Sequence, residues 1–134
     1  MNLQVGVKAI IKNNQGKFLF LRRTQSVSTD SGDRSWDIAG GRINFEESLI
    51  EGLKREIREE IGVEIHTEPK IIAAQDIFVQ GKEIHIVRLT YLLKEDVEDI
   101  HLSHEHDAYQ WLSTDELNTI NIEPYLKEAL VTVL

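Results

Sequence analysis

The stretch GRINFEESLIEGLKREIREEIGV, residues 41–63, decides how the chain is read. Leu49, Leu53, Ile57 and Ile61 recur every fourth residue, with Ile50 beside them, and so form one apolar stripe along a helix. Asn44 with Glu47 three residues on has the spacing of a capping box and sets the expected helix start. Gly62 is placed to end the helix in a left-handed turn. On a wheel of 100° per residue, Glu56, Glu59 and Glu60 share one face at spacings i, i+3 and i+4. Glu56 and Glu60 border the apolar stripe, so their charges meet the rim of the core and are only partly solvated. Carboxylates so close repel one another, and without a counter-ion one or more takes up a proton. A divalent cation removes the conflict, and hard oxygen ligands suit Mg²⁺ or Mn²⁺ better than zinc. Taken alone, the helix reads first as a solvated Glu-rich face paired with Lys54, Arg55 and Arg58, and with Glu47, Glu51 and Arg55 in a stabilising ladder. The wider spacing overturns that reading.

Outward from the helix, the chain alternates strands and turns. Apolar runs at 5–11 and 18–21 flank Asn13-Asn14-Gln15-Gly16, the pattern of a hairpin. Residues 24–34 are rich in Ser, Thr and Asp and read as a mobile loop. A short apolar piece at 36–38 leads to Gly40-Gly41, and Gly41 is expected to permit a sharp turn into the helix. Beyond the helix, β-rich stretches are expected around 63–66, 71–79 and 83–93, with a second hairpin at Gln80-Gly81-Lys82. Residues 109–112 read as a last short strand, Ser113-Thr114-Asp115-Glu116 as a helix start, and 124–134 as a terminal helix with Pro124 in its first turn. Strands, helix, strands, helix is an α/β (α+β) order, with a mixed β-sheet flanked by helices. No linker or repeat interrupts residues 1–134, which read as a single domain.

Composition bounds the function. The formal net charge of −8 argues against stable nucleic-acid binding through the backbone, which relies on Lys and Arg. It is compatible with a phosphorylated small molecule, because divalent cations bridge carboxylates to phosphates. The absence of cysteine excludes disulfides and thiolate metal sites. No apolar run is long enough for a membrane span, and Met1-Asn2-Leu3-Gln4 lacks a signal-peptide pattern, so a cytoplasmic protein with no membrane partner is expected. Monomer and homodimer stay open.

Residues 41–63 resemble the Nudix box, G-x5-E-x7-R-E-U-x-E-E-x-G-U, where U is a bulky apolar residue. Gly41, Glu47, Arg55, Glu56, Ile57, Glu59, Glu60, Gly62 and Val63 match without a gap. Leu21-Arg22-Arg23 and Trp36 look like the family's usual lead-in, and Glu105, Trp111 and Glu116-Leu117 like its usual tail. The resemblance implies a Nudix-type α/β/α sandwich and a MutT-like enzyme that hydrolyses a phosphoanhydride in a nucleoside-diphosphate-linked substrate. It assigns metal binding to Glu56, Glu59, Glu60 and the Gly40 carbonyl. Glu105 becomes an extra carboxylate, serving a second metal or acting as the base. Glu56, Glu59, Arg55 and Glu105 are the expected catalytic residues, with Arg55 orienting Glu56, and Glu47 is expected to be structural. The sequence departs from many family members in having Ala39, not Pro, before the glycine pair; Ala can adopt the same φ.

The expected reaction takes a nucleoside triphosphate to the monophosphate and pyrophosphate. A nucleotide-sugar hydrolase of the ADP-ribose type is the alternative, although the Pro that often follows the box in those enzymes is missing and Pro69 comes too early. The Tyr expected of diadenosine-polyphosphate hydrolases is absent at 79–81. A non-catalytic nucleotide sensor typically loses box carboxylates, and this chain keeps them. For substrate binding the candidates are Arg22, Arg23 and Phe78. Alternation along a strand sends the two arginines to opposite faces, so at most one meets phosphate. Trp36, Tyr91 and Trp111 read as core. His104-Glu105-His106 suggests zinc, but no third ligand is evident and a polar loop is the expected reading. His66, His85 and His101 read as structural or exposed.

Overall fold

Strand β1 (Asn2–Lys12) organises the molecule, because three other strands hydrogen-bond to it. The computed structural model describes residues 2–24 and 36–134. After β1 come β2 (Phe18–Arg23), β3 (Trp36–Asp37), β4 (Ala39–Arg42), helix α1 (Leu49–Ile61), β5 (Lys70–Val79), β6 (Ile84–Lys94), β7 (His106–Leu112), a 3₁₀ turn at Thr114–Thr119 and helix α2 (Pro124–Val131). β1 runs parallel to β6 along its whole length, from Asn2↔Ile84 to Lys12↔Lys94. The other ladders are antiparallel, so the sheet is mixed, as the sequence implies. Its order is β3-β2-β1-β6-β5, with β4 on β1 and β7 on β2.

The ladder between β1 and β2 is short. The two strands register only at Lys12↔Phe18, next to the Asn13–Gly16 turn. Beyond it β1 takes β4 as partner over Gly6↔Arg42 to Ala9↔Ala39, while β2 takes β7 and β3. The sheet therefore parts into two arms, and the functional cavity lies where they separate.

Alternation along the strands feeds two cores. Val7, Ala9, Ile11, Leu19 and Leu21 pack with Leu53, Ile57 and Ile61 of α1. Ile10, Phe18, Phe20 and Ile38 pack with Leu126, Ala129 and Leu130 of α2. The result is helix, sheet and helix in layers.

Several local expectations are corrected. Helix α1 starts after Ser48, whose Oγ accepts the Glu51 N–H, and not at Asn44. Asn44 and Glu47 close a preceding turn, in which the Asn44 N–H donates to the Glu47 carboxylate and Glu46 takes a left-handed φ of 64°. Gly62 caps the other end at φ 69°, as expected. Residues 63–66 are not a strand. Val63 and Ile65 pack into the α1-side core, while the His66 and Thr67 N–H groups donate to the Glu95 carboxylate. The helix start at Ser113 is a 3₁₀ turn closed by a Ser113–Glu116 capping box. β7 begins at His106, earlier than the alternation suggested. The polar loop expected over 24–34 lies, apart from Thr24, outside the described residues.

Candidate active site

Glu56 and Glu60 stand one turn apart on α1 and reach past the edge of the apolar stripe into the parting of the sheet. A cavity of about 420 Å³ opens there. It is lined by Lys8, Arg23, Asp37, Gly40, Gly41, Arg42, Glu56, Glu60, Glu105 and His106. These ten residues come from β1, β2, β3, β4, α1, β7 and the turn before β7.

The glycine pair makes the close approach possible. Gly40 has φ 144°, and a Cβ on it would collide with the Val7 carbonyl oxygen and come within 2.8 Å of the Lys8 side chain. Its N–H donates to the Glu60 Oε2 at 3.0 Å. Gly41 lies within β4 at an ordinary φ, so the expected sharp turn is not its role. A Cβ there would sit 2.7 Å from the Glu56 carboxylate, and the missing side chain is what lets strand and helix carboxylate touch.

Glu60 is only 7% exposed. Burial pushes its carboxyl up to about 7; the Lys8 charge and the Gly40 N–H pull the other way, while Glu56 and Asp37 add to the rise. Glu56 is also raised, chiefly by burial, against the hydrogen bond and charge of Arg55. Proton affinity does rise in this cluster, as the wheel suggests, but burial contributes more than mutual repulsion. Arg55 explains the difference. Its guanidinium donates to Glu47 at 2.6 and 3.1 Å, to Glu56 at 3.1 Å, to Glu59 at 3.1 Å and to the Arg42 carbonyl at 3.0 Å. Glu47 is thus an anchor for Arg55. Glu59 is exposed on the outer side of Arg55 and, like Arg55, does not line the cavity.

The facing wall holds Asp37. Burial alone would raise its carboxyl, but the charges of Lys8 and Arg23 and the Ile38 N–H outweigh that and hold it well below the usual carboxylate range. Lys8 Nζ donates to Asp37 at 3.0 Å, and Arg23 donates at 3.2 Å. Arg23 therefore faces the cavity. Arg22, across a register shift in the β2–β7 ladder, turns away to Asp107 at 2.8 Å and lies over the Trp36 ring at 5.8 Å. Glu105 lines the cavity beside His106. His106 is not a loop residue. It is 7% exposed, its Nδ1 is buried without a partner, and burial lowers its affinity for a proton. Phe78 is not brought to the site. It pairs with His85 beside the turn between β5 and β6 and does not line the cavity. There it is 61% exposed and stacked on His85.

Lys8, Asp37 and Arg42 escaped the sequence reading, and His106 reads there only as part of a polar loop. For two of them a signal existed: Lys8 is the lone charge inside the apolar run 5–11, and Asp37 sits between Trp36 and Ile38. A charge in the middle of a buried strand needs a partner.

The donor set fits a hard divalent cation. Among the described residues no three carboxylates or imidazoles close into a ready-made cage. Mg²⁺ rarely asks for one; it is held by one or two carboxylates, with waters and substrate phosphates completing the octahedron. Two carboxylates whose burial leaves them short of solvation, opening on a polar cavity, suit that mode.

The NUDIX domain family model matches residues 2–131. The chain belongs to the Nudix family. It is 35% identical over 115 residues to a CTP pyrophosphohydrolase of Escherichia coli (strain K12), spanning 84% of this chain and 78% of that protein. It is 27% identical over 121 residues to the nucleoside triphosphatase NudI of Enterobacter sp. (strain 638), covering 84% of each. Among solved structures, the MutT protein from Methanosarcina mazei Go1 superposes with a TM-score of 0.81 at 30% identity, covering 97% of this chain and 91% of that one. The MutT Nudix hydrolase from Burkholderia pseudomallei shares the fold, with a TM-score of 0.84 at 23% identity over the full length of both. The chain is a Nudix hydrolase, a pyrophosphohydrolase of nucleoside-diphosphate-linked substrates. Nudix hydrolases generally require a divalent metal and act on small-molecule nucleotides. No helix among the described residues is long and apolar enough to cross a membrane.

Proposed function

We propose that the Nudix hydrolase described here cleaves a nucleoside triphosphate to the monophosphate and pyrophosphate, with Mg²⁺, replaceable by Mn²⁺, as the cation. The observation that carries this reading is one cavity lined by Glu56, Glu60, Glu105 and Arg23, carboxylates for a cation beside an arginine for phosphate. Glu56 and Glu60 hold the cation together with the Gly40 carbonyl, and Glu105 adds a further ligand or takes a proton from water. Arg55 fixes Glu56, and its five N–H groups are taken up by three carboxylates and the Arg42 carbonyl, so it has no donor to spare for substrate. Glu59 completes the acidic rim through Arg55. Arg23 presents its guanidinium to phosphate from the Asp37 carboxylate. Bound in this site, a divalent cation polarises the phosphoryl oxygen and lowers the pKa of water. The triphosphate assignment draws on the two relatives named for CTP and nucleoside triphosphates.

The test is product analysis on a panel of nucleoside triphosphates and ADP-ribose. Pyrophosphate release with several bases is expected, and it should stop with a chelator. Glu56→Gln and Glu60→Gln should each lower kcat by more than the roughly 100-fold that loss of an outer-shell partner costs. A preference for ADP-ribose in kcat/KM of about tenfold, roughly 1.4 kcal/mol, would overturn the substrate class. Near-normal turnover in both variants would overturn the assignment of the carboxylates.

A further inference from the structure

We propose that Lys8 is a positioning residue for the reaction: it locks the 37–40 backbone against β1 and thereby aims the Glu60 carboxylate through the Gly40 N–H. The proposal rests on the reading of Glu60 as a carboxylate of the active site. The contacts form one continuous chain. Lys8 Nζ donates to the Asp37 Oδ2 at 3.0 Å and to the Ile38 carbonyl at 3.4 Å. Its methylene stem lies where a Gly40 side chain would be, 2.8 Å from the ideal Cβ position. Asp37 in turn accepts the Ile38 N–H at 2.8 Å, so the two peptide units that flank the Ile38 Cα are each held. Two residues on, Gly40 donates to Glu60 at 3.0 Å. Every link from Lys8 to Glu60 is a hydrogen bond, a packed stem or a peptide unit.

A lysine is an unusual choice here unless its position matters. The Lys8 side chain is 12% exposed, and its neighbours in β1, Val7 and Ala9, are buried in the core. An apolar residue would fill the strand at no desolvation cost. Asp37 also does not depend on Lys8 alone, since Arg23 and the Ile38 N–H hold the same carboxylate. What Lys8 alone among these groups supplies is the bond to the Ile38 carbonyl and the stem under Gly40.

The experiment separates positioning from burial. Lys8→Met keeps the stem length and removes the donor. It should lower kcat by on the order of thirty- to hundredfold, as small misplacements of a reacting group do, with KM changed far less. It should also raise the Mg²⁺ concentration needed for half-maximal activity. Lys8→Met alone leaves Asp37 with one partner fewer, so stability falls as well. The double variant Lys8→Met/Asp37→Asn removes both charges and should recover Tm to within about 3 °C of the parent protein. Its kcat should stay low. Asp37→Asn alone keeps an acceptor for Lys8 and should cost less kcat than Lys8→Met.

Recovery of kcat in the double variant would show that Lys8 merely neutralises Asp37, and would overturn the proposal. So would normal kcat in Lys8→Met, or a loss in Asp37→Asn as large as in the double variant. If Lys8→Met fails to fold, the double variant and Asp37→Asn decide between these outcomes. The Glu60→Gln variant keeps the two readings apart. Normal turnover there removes the premise, whereas lost turnover there with an active double variant removes only the role of Lys8.

Discussion

On the helix side of the cavity, Glu56 is held by Arg55, which it shares with Glu47 and Glu59 at the edge of solvent. On the sheet side, Glu60 is held by the Gly40 N–H in the interior, in a wall whose other carboxylate, Asp37, is gripped by Lys8 and Arg23. The first arrangement is local, since Glu47, Arg55, Glu56 and Glu59 lie within 13 consecutive residues of sequence. The second collects residues 8, 23, 37, 40, 60, 105 and 106 through strand pairing. Burial is graded across both: Asp37 and Glu60 are buried, Lys8, Arg23, Glu47, Arg55 and Glu56 are half-buried, and Glu59 is exposed, so a lost partner costs most at Asp37 and Glu60, where water cannot replace the bond.

The glycine pair offers the largest contrast between the walls. Gly40→Ala sets a Cβ against the backbone carbonyl of Val7 at a φ that L residues rarely adopt, and neither element can retreat. We expect it to cost more than about 3 kcal/mol of stability, visible as a large fall in the urea midpoint. Gly41→Ala meets only the far end of the Glu56 side chain. That carboxylate swings away and the fold survives, so Tm should move little while kcat drops about tenfold or more. Equal loss of stability in the two variants would mean that the two glycines serve the same purpose and that the two walls do not differ in this way.

The same contrast explains what sequence could reveal. The helix, its Gly62 cap, both hairpins and the position of Glu56 and Glu60 at the rim of the core were legible because their determinants are periodic or adjacent, whereas Glu59 falls outside the cavity. The true start of α1 was not, because Asn44 and Glu47 have the spacing of a cap but form the turn that precedes it, and Ser48 takes the cap. Residues 63–66 have strand-like residues, but they find core contacts and a Glu95 acceptor instead of a neighbouring strand. Of the two candidate arginines, only the structure could assign Arg23 to the cavity, since the register shift beside it is set by β7. His106 was hidden for the same reason. Its burial depends on the separated arms of the sheet, which no local pattern encodes.

Titration sharpens the comparison further. The Glu60 carboxyl rises from the ordinary 4.5 to about 7 on folding, so the folded protein binds this proton more tightly than the unfolded chain. Its contribution to stability is therefore fully present below about pH 4.5 and is lost as pH rises through 7. Asp37 has the opposite sign. Its carboxyl is lowered, so its contribution is present at neutral pH and is lost as pH falls below the ordinary aspartate range. In metal-free protein, urea unfolding at pH 5 and pH 8 should differ through Glu60 by on the order of 2–3 kcal/mol at most, the protein being weaker at pH 8. Glu60→Gln keeps an acceptor for the Gly40 N–H and should remove that difference. A slope unchanged in the variant would show that Glu60 is not the buried, proton-hungry group of this wall.

The smallest effect is expected at Glu51, on the same helix but outside both networks. Its backbone N–H donates to the Ser48 hydroxyl, an interaction that any side chain preserves. Its carboxylate is exposed in the first turn, where it gains only weakly from the helix dipole. Arg55, four residues on, would be its natural partner, but that guanidinium is committed to Glu47, Glu56 and Glu59. Glu51→Gln should therefore leave kcat and KM unchanged and shift Tm by no more than about 2 °C. The comparison with Glu56→Gln is direct, because both variants remove one negative charge from one helix. If Glu51→Gln lowered turnover as much as Glu56→Gln, the total acidity of α1 would govern the reaction, and the placement of particular carboxylates in the cavity would not. A selective loss at Glu56 ties function to the geometry that Arg55 and Gly41 create around that one side chain.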